Sequence, residues 1–379
     1  MSQPPSLKQL TLYFLRLGAI GFGGPIALAG YMQRDLVEDR RWISPEEYKE
    51  GLALAQLAPG PLAAQLAIYL GWVRGGVLGA TLVGFAFVVP SFLMVLALAV
   101  LYLQMGGLPW MQGLFYGIGA AVIAIIARSA YKLVRSTLAG DWLLWTIFGV
   151  SAGVTAWTES EIIWLFVLSG VVAMVVRQRW VHIACVAVVP VWLTFGLHGE
   201  ASGKTLATLF WYFAEAGAFV FGSGLAIVPF LYGGVVRNFQ WLTERQFLDA
   251  VAVAMITPGP VVITVAFIGH LVAGPLGATI AALGVFLPCY LLVVIPAPYF
   301  RRFANNPRLK AFVDGVTAAA TGAIAGAAFV LGRRAIIDLP TALIAAATLI
   351  VLLKGKRLPE PLVILLAGGV GLALRGVAV

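Results

Sequence analysis

Two sets of helix-breaking motifs recur in this chain at one constant offset of 199 residues. The first set is Phe22-Gly23-Gly24-Pro25, then Trp42-Ile43-Ser44, then Pro59-Gly60-Pro61. The second set is Phe221-Gly222-Ser223-Gly224, then Trp241-Leu242-Thr243, then Pro258-Gly259-Pro260. Each glycine or proline cluster interrupts a long apolar stretch, where it ends or kinks a helix. Broken helices at corresponding positions of two halves are typical of the substrate site of a secondary transporter.

The composition indicates a membrane protein. Of the 379 residues, 61% are hydrophobic and 11% are charged, whereas soluble domains carry about 25% charged residues. The net charge of +9 comes from basic residues at the ends of apolar segments, so it indicates membrane topology and not nucleic-acid binding. We expect the first helix to be retained, because its apolar segment is too long for a signal peptide.

The segment lengths predict an all-α polytopic membrane protein with about 12–13 transmembrane segments in two inverted repeats with broken helices. We assign residues 1–180 to the N-terminal repeat, 181–202 to a linking transmembrane segment and 203–379 to the C-terminal repeat. Small residues spaced four apart, at Gly113 and Gly117 and at Gly322 and Gly326, indicate close helix packing. The two cysteines, Cys185 and Cys289, are interpreted as packing residues.

The orientation of the halves depends on how the split helices are counted. If each crosses the membrane once, the halves are antiparallel, and most basic residues lie on the side of the N-terminus. In that count Arg34 and its neighbours lie on the opposite side from Lys8, and Arg237 and Arg245 lie on the same side as Lys8. If the Pro-Gly-Pro segments are re-entrant hairpins instead, the count changes.

The interrupted helices themselves predict an anion site. Helix N-termini near the middle of the membrane present free N–H groups and a positive partial charge, and non-helical backbone at that depth must line a cavity or be buried. The residues assigned to substrate binding on this ground are Gly23, Gly24, Pro25, Pro59, Gly60, Pro61, Gly222, Ser223, Gly224, Pro258, Gly259 and Pro260. Neighbouring polar side chains that could donate to an oxyanion are Gln56, Gln65, Ser223, Thr257 and Thr264.

Charged residues inside apolar segments are scarce, and such residues often mark ion or proton pathways. Arg16 and Glu215 occupy equivalent positions in the two copies. They could pair with each other, or Arg16 could face an anionic substrate while Glu215 carries a coupling proton; Arg16 could also snorkel to the interface. Glu50 and Asp249 are equivalent too; they could carry protons, but we favour the interpretation that both are solvated residues near helix starts.

The glycine break, the Trp-Ile-Ser turn and the Pro-Gly-Pro motif resemble those of the chromate ion transporter family. The likeness covers both halves, in the two-domain form of the family, on Phe22-Gly23-Gly24-Pro25, Pro59-Gly60-Pro61, Phe221-Gly222 and Pro258-Gly259-Pro260. Members often carry acidic residues soon after the second glycine cluster, whereas this chain has none before Glu244.

The resemblance implies proton-driven export of chromate across the bacterial inner membrane, which confers chromate resistance, with sulfate as the structural analogue. Chromate or sulfate would be the substrate, protons the coupling ion and lipid the surroundings, and we allow for a homodimer. A sulfate or other anion importer and an anion channel of the same fold remain alternatives. We expect neither a cofactor nor an enzyme, because the sequence contains no metal-ligand spacing, P-loop or nucleophile–base arrangement.

Overall fold

The computed structural model describes residues 5–22, 24–105, 109–138, 140–158, 163–177, 203–219, 227–300, 307–354 and 360–375. These residues form helices and short connections, so the prediction of an all-α protein is confirmed. In the first half the helices are α1 (Leu7–Ile20), α2 (Gly24–Met32), α3 (Pro45–Leu57), α4 (Leu62–Met105), α5 (Pro109–Leu138), α6 (Trp142–Thr158) and α7 (Ile163–Arg177). The second half contains α8 (Gly203–Phe219), α9 (Ile227–Tyr232), α10 (Glu244–Ile256), α11 (Thr264–Val294), α12 (Pro307–Ala335), α13 (Leu339–Lys354) and α14 (Glu360–Arg375). The linking segment 181–202 lies outside the described residues.

The two halves have the same helix extensions and the same unusual backbone angles at equivalent residues. A π-helix extends α2 over Gln33–Asp39 and another extends α9 over Gly233–Asn238. Arg41 and its equivalent Gln240 are the two non-glycine residues with positive φ in the described chain, at 52° and 51°. Among the described helices, four are long and apolar enough to cross a membrane, and shorter apolar helices accompany them, as expected of a polytopic membrane protein.

The first interrupted segment folds back on itself. The Tyr13 hydroxyl on α1 lies 3.3 Å from an Asp35 carboxylate oxygen, to which it donates, and Gly21 packs against Leu28. In the second half the hydroxyl of Tyr212 on α8 likewise donates to the Phe230 carbonyl, at 3.0 Å. Because contacts pair early residues of one helix with late residues of the next, α1 and α2 run antiparallel, with the glycine break at the tip.

The Pro-Gly-Pro segment forms a second hairpin. The Tyr69 hydroxyl on α4 donates to Glu50 on α3 at 3.2 Å, and Arg74 forms an ion pair with Glu47 at 3.5 Å. A capping box at Ser44 begins α3, and proline residues at the tip cannot continue a helix. The re-entrant alternative left open by the sequence is therefore the one that this structure adopts.

A third reversal divides the long helix α4. Gly75 and Gly76 have non-helical backbone angles, and the arms 62–74 and 77–105 pack antiparallel with Gly71 against Gly79. A Cβ added to Gly79 would lie 2.1 Å from the Gly71 carbonyl oxygen, so only glycine permits this approach. Helix α11 turns in the same way at Ala273 and Gly274, with arms 264–272 and 275–294.

Equivalent helices of the two halves run in opposite directions. On α5 and α12, Ile123 lies against Gly332 while Leu138 shares a core cluster with Val316, so the two helices are antiparallel. The arms 77–105 and 275–294 are antiparallel as well, with Thr81 and Tyr290 hydroxyls 2.7 Å apart. The inverted-repeat prediction is thus confirmed by helix contacts alone, without counting crossings.

The halves are interleaved, since each long helix packs into the other half. Helix α5 contacts α13 and α14, and α12 contacts α6 and α7. A Cβ on Gly117 would clash with the Ala367 backbone, and one on Gly322 would clash with that of Phe148, which confirms the predicted packing role of these glycines.

Polar bonds at the two membrane faces join the halves. Arg177 donates to both Asp141 and Asp314, at 2.6 Å each, and the hydrogen bond from Arg177 lowers the pKa of Asp141. At the opposite face the Tyr116 hydroxyl donates to Asp338 at 2.6 Å. The Arg177–Asp314 bond and the Tyr116–Asp338 bond each link residues of different repeats.

The hairpins correct the predicted distribution of charge. The start of α1 packs at the Gly75–Gly76 turn through Leu7, and Arg74 donates to the Trp42 carbonyl, so these loops share one face, which we call the N-terminal face. Placing Arg34 and its neighbours on the opposite side was wrong, as was placing Arg237 and Arg245 with Lys8. Of the basic side chains described near helix ends, the N-terminal face has Lys8, Arg34, Arg40, Arg41, Lys49, Arg74, Lys132, Arg135, Arg177, Arg308 and Lys310, and the other face has Lys204, Arg237, Arg245 and Arg333.

Replacing Gly79 by Leu should destabilise the protein, because the added side chain must push apart two helix backbones, and overpacking of this kind costs about 1–3 kcal/mol. Gly119→Leu is the matched control, since no atom lies within 4 Å of a Cβ built there. Thermal unfolding in detergent, followed by fluorescence-detected size exclusion, measures both. A melting temperature of Gly79→Leu equal to that of Gly119→Leu would contradict the hairpin.

Cysteine accessibility tests the re-entrant topology. Single cysteines at Ser6 and Glu38, in a background without Cys185 and Cys289, should both be labelled by an impermeant maleimide from the same side of the membrane. A cysteine at Lys204 should be labelled only from the other side. Labelling of positions 6 and 38 from opposite sides would show that the first interrupted segment crosses the membrane.

Candidate functional site

The hairpin tips of the two halves meet at the centre of the molecule. The Gly259 amide, in the second Pro-Gly-Pro, donates to the Gly21 carbonyl at the end of α1, at 3.0 Å. Beside this bond lies Ser91, which is buried and lies about 21 Å from each end of the arm 77–105 at 1.5 Å rise per residue. The contact between the repeats therefore lies near the middle of the membrane.

Gly259 fits this position because of its backbone conformation and the space around it. Its φ is +101°, and an added Cβ would lie 1.8 Å from the Ser91 Oγ. Ser91 in turn donates to the Gly18 carbonyl at 3.3 Å. The tip of the second half is thus seated on two helices of the first half.

The first Pro-Gly-Pro is seated in the same way on the second half. Gly60 has a φ of +138°, and a Cβ there would lie 3.0 Å from the Cys289 sulfur. The Cys289 thiol lies 3.5 Å from the Gly217 carbonyl and is fully buried. Cys289 and Gly217 are the repeat equivalents of Ser91 and Gly18. Cys289 therefore packs beside the tip of the first half, in agreement with the packing role predicted for it. Sequence analysis did not identify Ser91, which occupies the equivalent position.

A narrow cleft lies between the tips. Its lining is mostly apolar and comes from both halves: Pro25, Leu28, Pro61, Ala63, Gly259, Pro260 and Val261. The space holds about one water molecule. An oxyanion would need more room, so a substrate that binds here requires the hairpins to separate.

Helix N-termini surround this cleft. Helix α2 begins at Gly24 and α4 begins at Leu62, directly after the glycine break and the first Pro-Gly-Pro, and a 3₁₀ turn begins at Val261 after the second. The first N–H groups of a helix have no partner within the helix. These groups can bind an anion through backbone donors and the helix dipole.

The structure places the predicted polar side chains differently. Gln65 is fully buried and donates to the Pro59 carbonyl at 2.5 Å, while its Oε1 has no hydrogen-bond partner in the described chain. Thr257 and Thr264 are buried, but each hydroxyl donates to a carbonyl of its own segment, at 3.0 Å and 2.8 Å. Gln56 is exposed on α3. Gly23, Gly222, Ser223 and Gly224 lie outside the described residues.

Arg16 and Glu215 lie away from the cleft. Arg16 is exposed on α1, on the same side as Leu12 and Ile20, and Glu215 is half-buried on α8, one turn from the exposed Trp211. No ion pair joins Arg16 to Glu215 in the described structure, so the alternative in which these two residues pair is not the one formed there.

The solvated interpretation of Asp249 is wrong. Its side chain is buried, with 4% of the residue exposed, and it accepts a hydrogen bond of 2.7 Å from the Tyr102 hydroxyl. Its equivalent Glu50 is half-buried. Sequence analysis missed Tyr102, because a tyrosine at the end of an apolar helix gives no signal of its tertiary partner.

Inverted repeats whose re-entrant hairpins meet at mid-membrane are typical of the class of proteins that move solutes across membranes. In the same class, the chromate transporter family matches residues 8–174 and 207–372, one stretch in each repeat. The chain belongs to this family.

Curated relatives agree over nearly the full length. The chain is 59% identical to the chromate transport protein of Cupriavidus metallidurans, covering 97% of this chain and 93% of the relative. It is also 59% identical to a probable chromate transport protein of Synechococcus elongatus, with 97% and 95% covered, and 34% identical to the chromate transport protein of Pseudomonas aeruginosa, with 85% and 80% covered. No solved structure matches the chain.

Replacing Gly259 by Ala should reduce transport at least about tenfold, because the methyl group collides with Ser91 and alanine is strained at positive φ. Initial rates in vesicles, divided by the amount of protein in the membrane, measure the effect. Removing the obstacle with Ser91→Gly in the same chain should restore part of the rate. Full activity of Gly259→Ala would mean that transport does not depend on the close contact between the tip and Ser91.

Proposed function

We propose that the protein exports chromate across the inner membrane of a bacterium, driven by the proton gradient, and thereby confers chromate resistance. Its membership of the chromate transporter family and the names of its relatives support chromate as the substrate. The excess of basic residues on the N-terminal face supports a cytoplasmic N-terminus.

The observation that carries the proposal is the meeting of both Pro-Gly-Pro tips beside the glycine break at Gly21. Chromate and sulfate are tetrahedral oxyanions, which accept hydrogen bonds from several directions. The N-termini of α2 and α4 supply backbone donors to such an ion, and the Gln65 amide nitrogen carries a second N–H besides the one that donates to Pro59. Of the residues predicted from sequence, Pro25, Pro61, Gly259 and Pro260 line the cleft, which supports a site at the tips.

The substrate's charge and the coupling proton involve side chains farther from the tips. Arg16 lies about 8 Å along α1 from Gly21, at 1.5 Å per residue. A charged side chain at that depth is costly, and charges of this kind mark ion pathways. We assign Arg16 to compensation of the substrate's charge and Glu215 to uptake of the coupling proton.

Everted vesicles test this function directly. Chromate should accumulate inside them when a proton gradient, acidic inside, is imposed, and excess sulfate should reduce the uptake. Vesicles without the protein are the control. Sulfate uptake into right-side-out vesicles without chromate movement would indicate an importer, and flux that never exceeds equilibrium would indicate a channel.

Replacing Arg16 by Gln should abolish chromate uptake without lowering the amount of protein in the membrane, because the substrate's charge is then uncompensated. Arg34→Gln is the matched control, since Arg34 is an exposed arginine on the N-terminal face. Arg16→Lys should retain part of the uptake. Uptake by Arg16→Gln near that of the unmodified protein would remove Arg16 from the mechanism.

A further inference from the structure

We infer that Asp249 and Tyr102 form a proton-binding site that controls the docking of the second re-entrant hairpin, an inference that rests on the proposed proton-driven transport. Asp249 lies on α10, the arm that leads to the Pro-Gly-Pro tip at Gly259. Tyr102 lies on the long arm of α4, in the other repeat. Their hydrogen bond is thus a bond between the moving hairpin and the helix on which it is seated.

The surroundings of Asp249 favour its neutral form. Only 4% of the residue is exposed, and its partner ring, Tyr102, packs against Phe115 and Phe267 at centroid distances of 5.8 Å and 5.3 Å. Burying an ionised carboxylate without a cation bonded to it is costly, so such a group takes up a proton instead. One phenolic donor compensates the charge only in part.

Other charged groups near α10 have different partners or positions. Arg245, one turn earlier on α10, is exposed and forms no ion pair with Asp249 within 4.0 Å, although its charge acts on Asp249. Titratable groups on the helices packed against α10 have other partners: Tyr116 donates to Asp338, Arg128 forms an ion pair with Glu360, and Tyr232 donates to Glu244. His270 lies beside the Ala273–Gly274 turn.

The first repeat contains an equivalent pair that differs in one respect. Glu50 accepts a hydrogen bond from Tyr69, which belongs to the same hairpin. At the position equivalent to Tyr69 the second repeat has Phe267, and at the position equivalent to Tyr102 it has Phe300. Asp249 thus accepts its hydrogen bond from a phenol of the other repeat, whereas the phenol bonded to Glu50 belongs to its own hairpin. Protonation of Asp249 therefore changes a contact between the repeats.

The coupling follows from this contact between the repeats. With a proton on Asp249, the carboxyl group is neutral and the docked hairpin is stable. When the proton leaves to water, the carboxylate is stabilised by hydration, which requires α10 to move away from Tyr102 and the tip to leave Gly21. Proton binding thus favours the docked state and proton release favours the open cleft, because the two states bind the proton with different affinities.

Asp249→Asn tests the inference, since asparagine mimics the protonated acid and cannot release a proton. We measure chromate uptake into everted vesicles with and without a proton gradient. In the unmodified protein the gradient should stimulate uptake. In Asp249→Asn the ratio of the two rates should fall to about 1, because a proton taken up at Glu215 can then no longer change the docking of the hairpin. Glu50→Gln, the matched variant of the equivalent pair, should keep the stimulation. Stimulation of Asp249→Asn equal to that of the unmodified protein would overturn the inference.

Tyr102→Phe gives a second readout that does not depend on the folding of Asp249→Asn. The phenol stabilises the carboxylate, so its removal should shift the midpoint of the pH–rate profile upward by about one pH unit, while Tyr69→Phe should leave it unchanged. An unshifted profile in Tyr102→Phe would contradict the pairing. An unmodified protein that moves no chromate would instead refute the proposed function, and one that moves chromate without gradient stimulation would refute proton coupling.

Discussion

This structure depends on satisfying the backbone groups of its broken helices inside the membrane, and the hydrogen bond from the Gly259 amide to the Gly21 carbonyl does so between the two repeats. Inside a membrane, backbone groups released by a broken helix find no water, so each needs a partner within the protein. Here the tip of one repeat satisfies the end of α1 in the other. The buried side chains of Ser91 and Cys289 lie at equivalent positions beside the two tips. Gly259 and Gly60 have no Cβ, so each tip can approach one of these side chains closely.

The packing of each Pro-Gly-Pro tip on helices of the other repeat links the architecture to the function. Each hairpin is short and cannot cross the membrane alone, so it is stable at mid-membrane only while seated on the other repeat. The closed cleft between the tips has room for about one water molecule, and its opening must break contacts between the repeats. A molecule built in this way ties substrate access to the relative position of its halves, as alternating access requires.

The repeat and the helix breaks at the Pro-Gly-Pro motifs could be predicted from sequence, because chain offsets and helix breakers are local signals. The inversion is confirmed, but the count of crossings that predicted it was wrong, since it let each split helix cross the membrane once. The folding back of α1 on α2 and of α3 on α4 could not be predicted, since a proline-broken helix that crosses and one that returns have the same composition. The burial of Asp249 also depends on Tyr102, 147 residues away. Position near a helix start suggested water there, and the packing of another repeat excluded it.

The most direct test of the account is the location of bound chromate. Chromium scatters X-rays anomalously, so an anomalous difference map of crystals grown from the chromate-bound protein reports its position without reference to the protein's fold. The account predicts a peak between Pro61 and Pro260, within hydrogen-bonding distance of the first N–H groups of α4. A peak only among the basic residues of the N-terminal face, with none at the tips, would contradict it.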